Sequence, residues 1–295
     1  MTEIAVASPL LPARLALAGG IEAHHGFLEE NGFNGGLELH PMRGSRLARE
    51  IDHAGPEDAE LVGQVLRSAH QSYLSTAEGM VPHKSVSELM TLGKALIVFS
   101  TAGASVDKIQ GYAQRVDRTD IPVVMYPEIG CGPAEHGVRY PLFQPNVRVL
   151  KKWGISTTEE VIDRAVDKRF RGIAWDGYHY LRRDAEGREM EDWWEALPRY
   201  LSSQTLPVVE AHVSIGRTDR HEESDLMLAT TDELDVFLRS PRDIGRTVTG
   251  RMLRMIHDGS AGDMRYVVEA VPPKDMSRTE GLRTLATNLA IFLDD

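Results

Sequence analysis

The 295-residue sequence predicts a single (β/α)8 barrel, an α/β fold in which eight parallel strands alternate with helices. Short β-branched runs alternate with longer segments of helical period along the chain. Acidic or imidazole side chains lie at or near the ends of four such runs, in the order Glu128, Asp176, His212 and Glu269. A barrel builds its active site where the carboxyl ends of its strands converge, so both observations favour this fold.

Eight segments have the composition of strands and are bounded by Gly, Pro or other turn residues. They span residues 14–18, 35–41, 65–73, 95–101, 121–128, 172–176, 206–214 and 265–271. The two longest irregular insertions, residues 130–146 and 212–230, both follow strand ends, on the face where a barrel keeps its substrate loops.

Helical segments separate these strands, at residues 21–30, 56–67, 84–93, 104–115, 157–168, 190–201, 231–238 and 277–293. Ser156 and Thr157 are candidate N-caps of one helix, and Glu280 follows Ser277 in capping-box spacing at another. An open doubly wound sheet is the main alternative, but Ala18-Gly19-Gly20 is too short a match to a GxGxxG fingerprint. Since no repeat or linker divides the chain, we expect one domain over residues 1–295.

Composition narrows the classes of partner and compartment. The net charge of −11, from 33 Lys and Arg against 44 Asp and Glu, opposes non-specific attraction to nucleic acid or to an anionic membrane. No apolar run approaches the ~18 residues that span a bilayer. The single cysteine, Cys131, excludes an internal disulfide and suits a reducing cytoplasm. We therefore expect a cytoplasmic protein with a small-molecule substrate.

Each of the four strand-end residues has an ordinary structural explanation when considered alone. Glu128 fits a solvated loop carboxylate, Asp176 a buried hydrogen-bonded aspartate, and His212 a core histidine. Glu269 is harder to explain, because an ionised carboxylate inside a buried strand is costly unless it is paired or bound to a metal. Because all four lie on consecutive predicted strands, a divalent-metal site is the better interpretation.

A wider set of polar residues surrounds these four in the predicted barrel. His70 ends the third predicted strand, and Glu38 and His40 end the second. Asp219 and His221 have a spacing that lets both side chains point to one side of an extended segment. This loop is equally consistent with an additional metal site and with a charged, solvent-exposed turn.

The chain resembles the xylose isomerase-like TIM barrels, a group that includes sugar isomerases and epimerases, inosose dehydratases and the apurinic endonucleases of the endonuclease IV family. The resemblance covers most of the chain and rests on six features: GFNGGLELHP, the strand end at His70, the Pro-Glu pair at Glu128, WDGYH, EAHVS and VVEA. No single one is specific, and the order of the whole set on the predicted strands carries the resemblance.

The resemblance implies site residues and a cofactor. In the epimerases and isomerases a Glu, an Asp, a His and a final Glu bind one divalent ion, and by position these are Glu128, Asp176, His212 and Glu269. The two Glu act there as acid and base, and His179 matches a residue that contacts substrate. The ion would be Mn, Zn, Fe, Co or Mg. In the endonucleases additional zinc is held at positions that match His70, His179, Asp219 and His221.

The chain departs from the endonucleases at the end of the fourth predicted strand, among other places. Where they place a zinc-binding His at the end of the fourth strand, this chain has Phe99-Ser100-Thr101. The sequence therefore favours a metal-dependent isomerase or epimerase of a small sugar or polyol-type carbonyl compound, acting through a metal-stabilised enediolate, as in carbohydrate metabolism. A zinc phosphodiesterase resembling endonuclease IV is the alternative, as is another metal-dependent reaction such as dehydration or natural-product tailoring. Barrels of this group often associate, so a homo-oligomer is one of the expected assembly states of this chain.

Overall fold

The computed structural model describes residues 2–39, 46–76, 79–82, 122–127, 140–145, 157–177, 193–215, 231–260 and 262–295. The strands are β1 Glu3–Ala7, β2 Gly36–Leu39, β3 Leu66–Thr76, β4 Gly79–Pro82, β5 Val123–Pro127, β6 Pro141–Phe143, β7 Gly172–Asp176, β8 Val208–Val213 and β9 Arg265–Val268. The helices are Ala13–Ala18, Ile21–Glu30, Arg46–His53, Ala59–Val65, Thr158–Asp167, Trp193–Ser202, Thr231–Arg239, Pro241–Ile244, Val248–Gly259 and Arg278–Asp294, with 3-10 turns at Ser8–Leu10 and Pro56–Asp58.

Eight of these strands pair in parallel and close into a ring. The ring order is β1, β2, β3, β5, β6, β7, β8 and β9, and β9 pairs again with β1. The remaining strand, β4, pairs antiparallel with β3 as a hairpin. A closed ring of parallel strands with helices in the connections is a (β/α)8 barrel, so the predicted fold is confirmed.

Alternating residues of each ring strand face two different environments, because side chains of a strand point to opposite sides. One face forms the large apolar layer that packs against the helices, and Trp175 in β7 lies in it, with its ring centroid 5.4 Å from that of Tyr200. The other face, inside the barrel, carries small apolar residues such as Ala5, Ala7 and Val267. The interior is therefore open to polar side chains at the strand ends.

The predicted first strand at residues 14–18 is wrong. These residues lie in the helix Ala13–Ala18, and the first strand is Glu3–Ala7. The helical segment, ARLALA, contains only good helix formers and follows Pro12 at the N-cap. The strand, EIAVA, contains β-branched residues and is buried along most of its length.

The fifth strand of the ring is also displaced from its predicted position. The fifth strand of the ring is β6, which lies in the segment 130–146 that was predicted to be irregular. The strand before it, β5, was predicted to be the fifth and is the fourth in the ring. At three residues, β6 is too short to show a period of two in the sequence. The strand predicted at 95–101 and the helices predicted at 84–93 and 104–115 lie outside the described residues.

The remaining described helices agree with the sequence pattern, with local differences. The helix predicted at 56–67 divides into the 3-10 turn Pro56–Asp58 and the helix Ala59–Val65. The candidate N-cap Thr157 is confirmed, and it forms a capping box that was not predicted: Glu160 N donates to Thr157 Oγ1 at 3.3 Å and Thr157 N donates to a Glu160 oxygen at 3.3 Å. The helices Arg46–His53, Pro241–Ile244 and Val248–Gly259 were not predicted. None of the described helices is both long and apolar enough to cross a membrane.

Two helical glycines give a matched test of how tightly the helices pack. A Cβ added at Gly250 would collide with the backbone oxygen of Ile244, whereas one added at Gly26 would meet nothing within 4 Å. We expect Gly250→Ala to reduce the free energy of unfolding by about 1–3 kcal/mol, as overpacking does. Gly26→Ala should raise it by roughly 0.5–1 kcal/mol, since Ala favours the helix. Urea unfolding measures both changes, and equal effects at the two positions would contradict this packing.

Candidate active site

Four acidic or imidazole side chains meet inside the barrel at the carboxyl ends of its strands. Glu38 lies in β2, Asp176 ends β7, His212 lies near the end of β8, and Glu269 directly follows β9. Their exposed fractions are 0%, 1%, 0% and 4% respectively. Asp176 and His212 lie at the same height along the barrel axis, because they pair across the neighbouring strands β7 and β8.

The imidazole of His212 lies between two pairs of carboxylates. Its Nε2 is 3.4 Å from Glu38 Oε2 and 3.3 Å from Glu210 Oε1. Its Nδ1 is 3.4 Å from Glu269 Oε2 and 4.0 Å from Asp176 Oδ2. One ring therefore faces four carboxylates in the barrel interior.

Neutral side chains orient three of these carboxylates. The hydrogen bonds run from Ser68 Oγ to Glu38 Oε2 at 3.2 Å, from Gln144 Nε2 to Asp176 Oδ2 at 3.1 Å, and from Ser214 Oγ to Glu269 Oε2 at 3.0 Å. Such bonds fix the direction of a carboxylate, but a neutral donor does not balance its charge.

Among the described residues, Arg265 is the cation that contacts this cluster. Its Nη1 is 3.0 Å from Glu210 Oε2, on the side of the cluster that points toward the amino ends of the strands. Because one guanidinium and one imidazole face four carboxylates, the described part of the interior carries more acidic than basic groups.

This excess of acidic groups shifts the affinity of the cluster for protons. Burial is the largest influence on the pKa of His212 and acts to lower it. The Glu269 and Glu38 carboxylates and the hydrogen bonds to Glu210 and Glu269 outweigh burial, so the pKa lies well above its ordinary value. For Glu210, by contrast, burial raises the pKa, and the neighbouring His212 and Arg265 act to lower it.

The same residues have the donors that a divalent cation requires. Glu38, His212 and Glu269 each offer one ligand atom, and these three atoms lie within 4.8 Å of one another. Carboxylate oxygens with an imidazole nitrogen suit Zn, Mn, Fe or Co. A cation would also offset the buried negative charge, so the donor set fits a divalent ion both in chemistry and in electrostatics.

The structure brings together three of the residues predicted as metal ligands: Asp176, His212 and Glu269. The predicted ligand and catalytic residue Glu128 lies outside the described residues, as do His179, Asp219 and His221. His70 lies in β3, but its side chain is also outside the described part. The roles predicted for these five residues stay predictions.

Two acidic residues and one amide of the cluster were missing from the predicted ligand set. Glu38 was noted only as a strand-end residue, although GLEL has the alternation that places it opposite the apolar face. Glu210 precedes His212 by two residues and so shares its face of β8, which is a signal that the sequence contains. Gln144 follows β6, a strand that no pattern in the sequence indicates.

Gln144 and Glu128 follow neighbouring strands of the ring. Glu128 was predicted to lie at the end of the fifth strand. In the structure the strand before Glu128 is the fourth of the ring, and the fifth, β6, is followed by Gln144. A neutral amide therefore lies beside Asp176 at the end of the fifth strand.

Solved structures with the same architecture match nearly the whole chain. Endonuclease IV from Thermus thermophilus is 16% identical with a TM-score of 0.54, covering 98% of this chain and 99% of that one. An L-ribulose 3-epimerase is 11% identical with a TM-score of 0.53, covering 100% of this chain and 95% of that one. The chain shares the TIM-barrel fold of these two enzymes. At this identity the match shows a common fold, and no reaction follows from it.

Comparison of sequences adds no family: no protein-family model matches the chain, and no curated protein matches it. The chemistry of the site is therefore the basis for assigning a reaction.

The raised pKa of His212 predicts that metal binding depends on pH. With its pKa raised, the imidazole keeps its second proton to higher pH than an ordinary histidine does, and an ion that takes its nitrogen must displace that proton. Affinity should therefore rise with pH, by up to about tenfold per unit below the folded pKa, and then level off. Zinc titration calorimetry at pH 6, 7 and 8, in buffers of different ionisation enthalpy, measures affinity and proton release. Affinity that does not change across this range would contradict the assignment, and His25→Gln, which alters an imidazole on the helix Ile21–Glu30, is the control.

Gln144→Glu tests the charge of the cluster. It places a further carboxylate beside Asp176, where the amide now donates at 3.1 Å. In chelator we expect a loss of about 3–5 kcal/mol in the free energy of unfolding, the range for an uncompensated buried charge. Added Mn²⁺ or Zn²⁺ should recover more stability in the variant than in the wild type. Equal stability of the two proteins in chelator would show that the amide is not part of a crowded acidic cluster.

Proposed function

We propose that the chain is a metal-dependent enzyme that isomerises or epimerises a small sugar or polyol-type carbonyl compound by moving a proton next to the carbonyl. The observation that carries the proposal is the convergence of Glu38, His212 and Glu269, whose ligand atoms lie within 4.8 Å of one another. They lie at the carboxyl end of a closed barrel, the end at which barrel enzymes place their chemistry.

Glu38, His212 and Glu269 would hold the ion, with Asp176 4.0 Å from the imidazole as a further ligand. A bound divalent ion supplies Lewis-acid polarisation of a carbonyl and neutralises charge that develops on its oxygen. Ser68, Ser214 and Gln144 keep the carboxylates in fixed directions, so little reorganisation is needed when substrate arrives.

Glu269 is the best placed of the described carboxylates to remove a proton. It follows the end of β9, is 4% exposed and is oriented by Ser214, whereas Glu38 is fully buried. Its carboxylate would take the proton from the carbon next to the carbonyl. Glu128 would return a proton at the neighbouring carbon or on the opposite face, and His179 would contact the substrate. These two roles rest on the sequence resemblance alone.

A zinc phosphodiesterase resembling endonuclease IV is the competing function, and a dehydratase or tailoring enzyme is a further alternative on the same barrel. The net charge of −11 disfavours a nucleic-acid substrate and supports a small molecule. The number of bound ions separates the two leading candidates, because an isomerase of this design needs one ion and the phosphodiesterase needs two or three.

Metal analysis of the native protein by mass spectrometry tests this directly. We expect one divalent ion per chain, and we expect chelation to remove both the ion and the activity, with recovery on adding the metal back. Two or three zinc ions, together with cleavage of abasic DNA, would replace the proposal with the phosphodiesterase. Full activity in chelator would remove metal from the mechanism.

Glu269→Gln tests the proton-transfer role. An enzyme that removes a proton next to a carbonyl exchanges it with solvent, so incubation with a panel of ketoses in D₂O should place deuterium in one of them. We expect the variant to lose this exchange by at least about 10²–10⁴-fold, the contribution of a general base, while its circular dichroism stays that of a folded barrel. Glu195→Gln, at an exposed position of the helix Trp193–Ser202, is the matched control. Near-normal exchange in Glu269→Gln would show that another group is the base.

A further inference from the structure

We propose that Glu210, held by Arg265, is a positioning residue that fixes the imidazole of His212 through Nε2 and so directs Nδ1 toward Glu269 and Asp176. This inference rests on the proposed metal-dependent function and concerns residues below the ligand set. Glu210 and Arg265 belong to the layer of the barrel nearer the amino ends of the strands, where they pair directly across β8 and β9.

Strand geometry places Glu210 next to the imidazole of His212, on the side nearer the amino ends of the strands. Residues two apart in a strand share a face, and Glu210 and His212 are both fully buried on the inner face of β8. Glu210 Oε1 is 3.3 Å from His212 Nε2. Both side chains come from one rigid element, so their relative position is set by the strand itself.

Arg265 fixes the other oxygen of Glu210. Its Nη1 donates to Glu210 Oε2 at 3.0 Å and to the backbone oxygen of Arg67 at 3.3 Å. Its Nε lies 3.7 Å from Glu3 Oε2. Because Oε2 of Glu210 accepts from a guanidinium that is anchored to β3, Oε1 of Glu210 faces the imidazole of His212.

Glu38 also lies near Nε2, at 3.4 Å, but its surroundings differ. It belongs to the group of three residues whose ligand atoms converge, and Ser68 holds the carboxylate oxygen that faces the ring. Glu210 is not in that group and is held from below by a cation. The two carboxylates on the Nε2 side therefore differ in their contacts: Glu38 belongs to the converging group, and Glu210 is bound by Arg265.

The consequence is a choice of ring nitrogen. A histidine that donates one N–H to a carboxylate presents the other nitrogen, as a lone pair, to a metal, and the carboxylate sets the tautomer. Here Nε2–H would donate to Glu210, and Nδ1, 3.4 Å from Glu269 Oε2, would be the ligand atom. Loss of such a supporting residue typically weakens metal affinity by about 10–100-fold.

A double-mutant cycle on metal affinity tests the chain of contacts. Glu210→Gln keeps the shape but removes the charge, and Arg265→Met removes the anchor. Zinc and manganese titrations of the metal-free proteins should show about 10–100-fold weaker binding for Glu210→Gln and a smaller loss for Arg265→Met. In the double variant Arg265→Met should add less than about twofold, because it acts through Glu210. Glu3→Gln, which touches Arg265 but not the imidazole, is the matched control and should bind as the wild type does.

Two further measurements separate positioning from a general structural role. Unfolding of each variant in chelator reports stability, and a purely structural residue would lower stability and leave metal affinity unchanged, which would overturn the proposal. Nitrogen-15 NMR of the zinc-loaded wild type identifies the coordinating nitrogen of His212 without any variant. Coordination through Nδ1 supports the proposal and coordination through Nε2 overturns it. If the wild type binds no metal, the proposed function fails instead, and the two failures are therefore distinguishable.

Discussion

The concentration of negative charge around one buried imidazole is the constraint on which the site depends. Glu38, Asp176, Glu210 and Glu269 face His212 in a space with little access to water. Carboxylates in such an environment are costly unless cations compensate them, and within the described ranges Arg265 does so from one side. Protons and the proposed metal ion would therefore compete for the same cluster, and the barrel around it must be rigid enough to hold like charges close together.

The ring of strands supplies that rigidity through a division of its two faces. Large apolar residues such as Trp175 and Tyr266 lie on the outer face, under the helices, where they belong to the largest apolar cluster of the described residues. Small residues such as Ala5 and Ala174 occupy the inner face and leave room for polar chains. Stability and chemistry are thereby assigned to opposite sides of the same strands, and a change on one side need not disturb the other.

The sequence was sufficient for the fold and for part of the site. Asp176, His212 and Glu269 follow or end long apolar runs, so period and polarity alone located them. β1 was missed because a helical segment of Ala and Leu resembles a strand in its apolar content. β6 was missed because three residues cannot display a period of two, and the position of Gln144 after that strand was therefore missed as well. The contact between Glu38 and His212 joins distant strands, and only closure of the ring reveals it.

Closure of the ring has a consequence for biosynthesis. The first strand, β1, pairs with β9, the last, so the hydrogen bonds that complete the barrel join opposite ends of the chain. Pairings of such high sequence separation are slow to form, because the loop entropy is lost before the contacts are gained. Glu38 and Glu269 reach one another only with that pairing, so a nascent chain on the ribosome holds acidic residues that have no common site. The proposed ion site would then form in a single step with the completion of the fold.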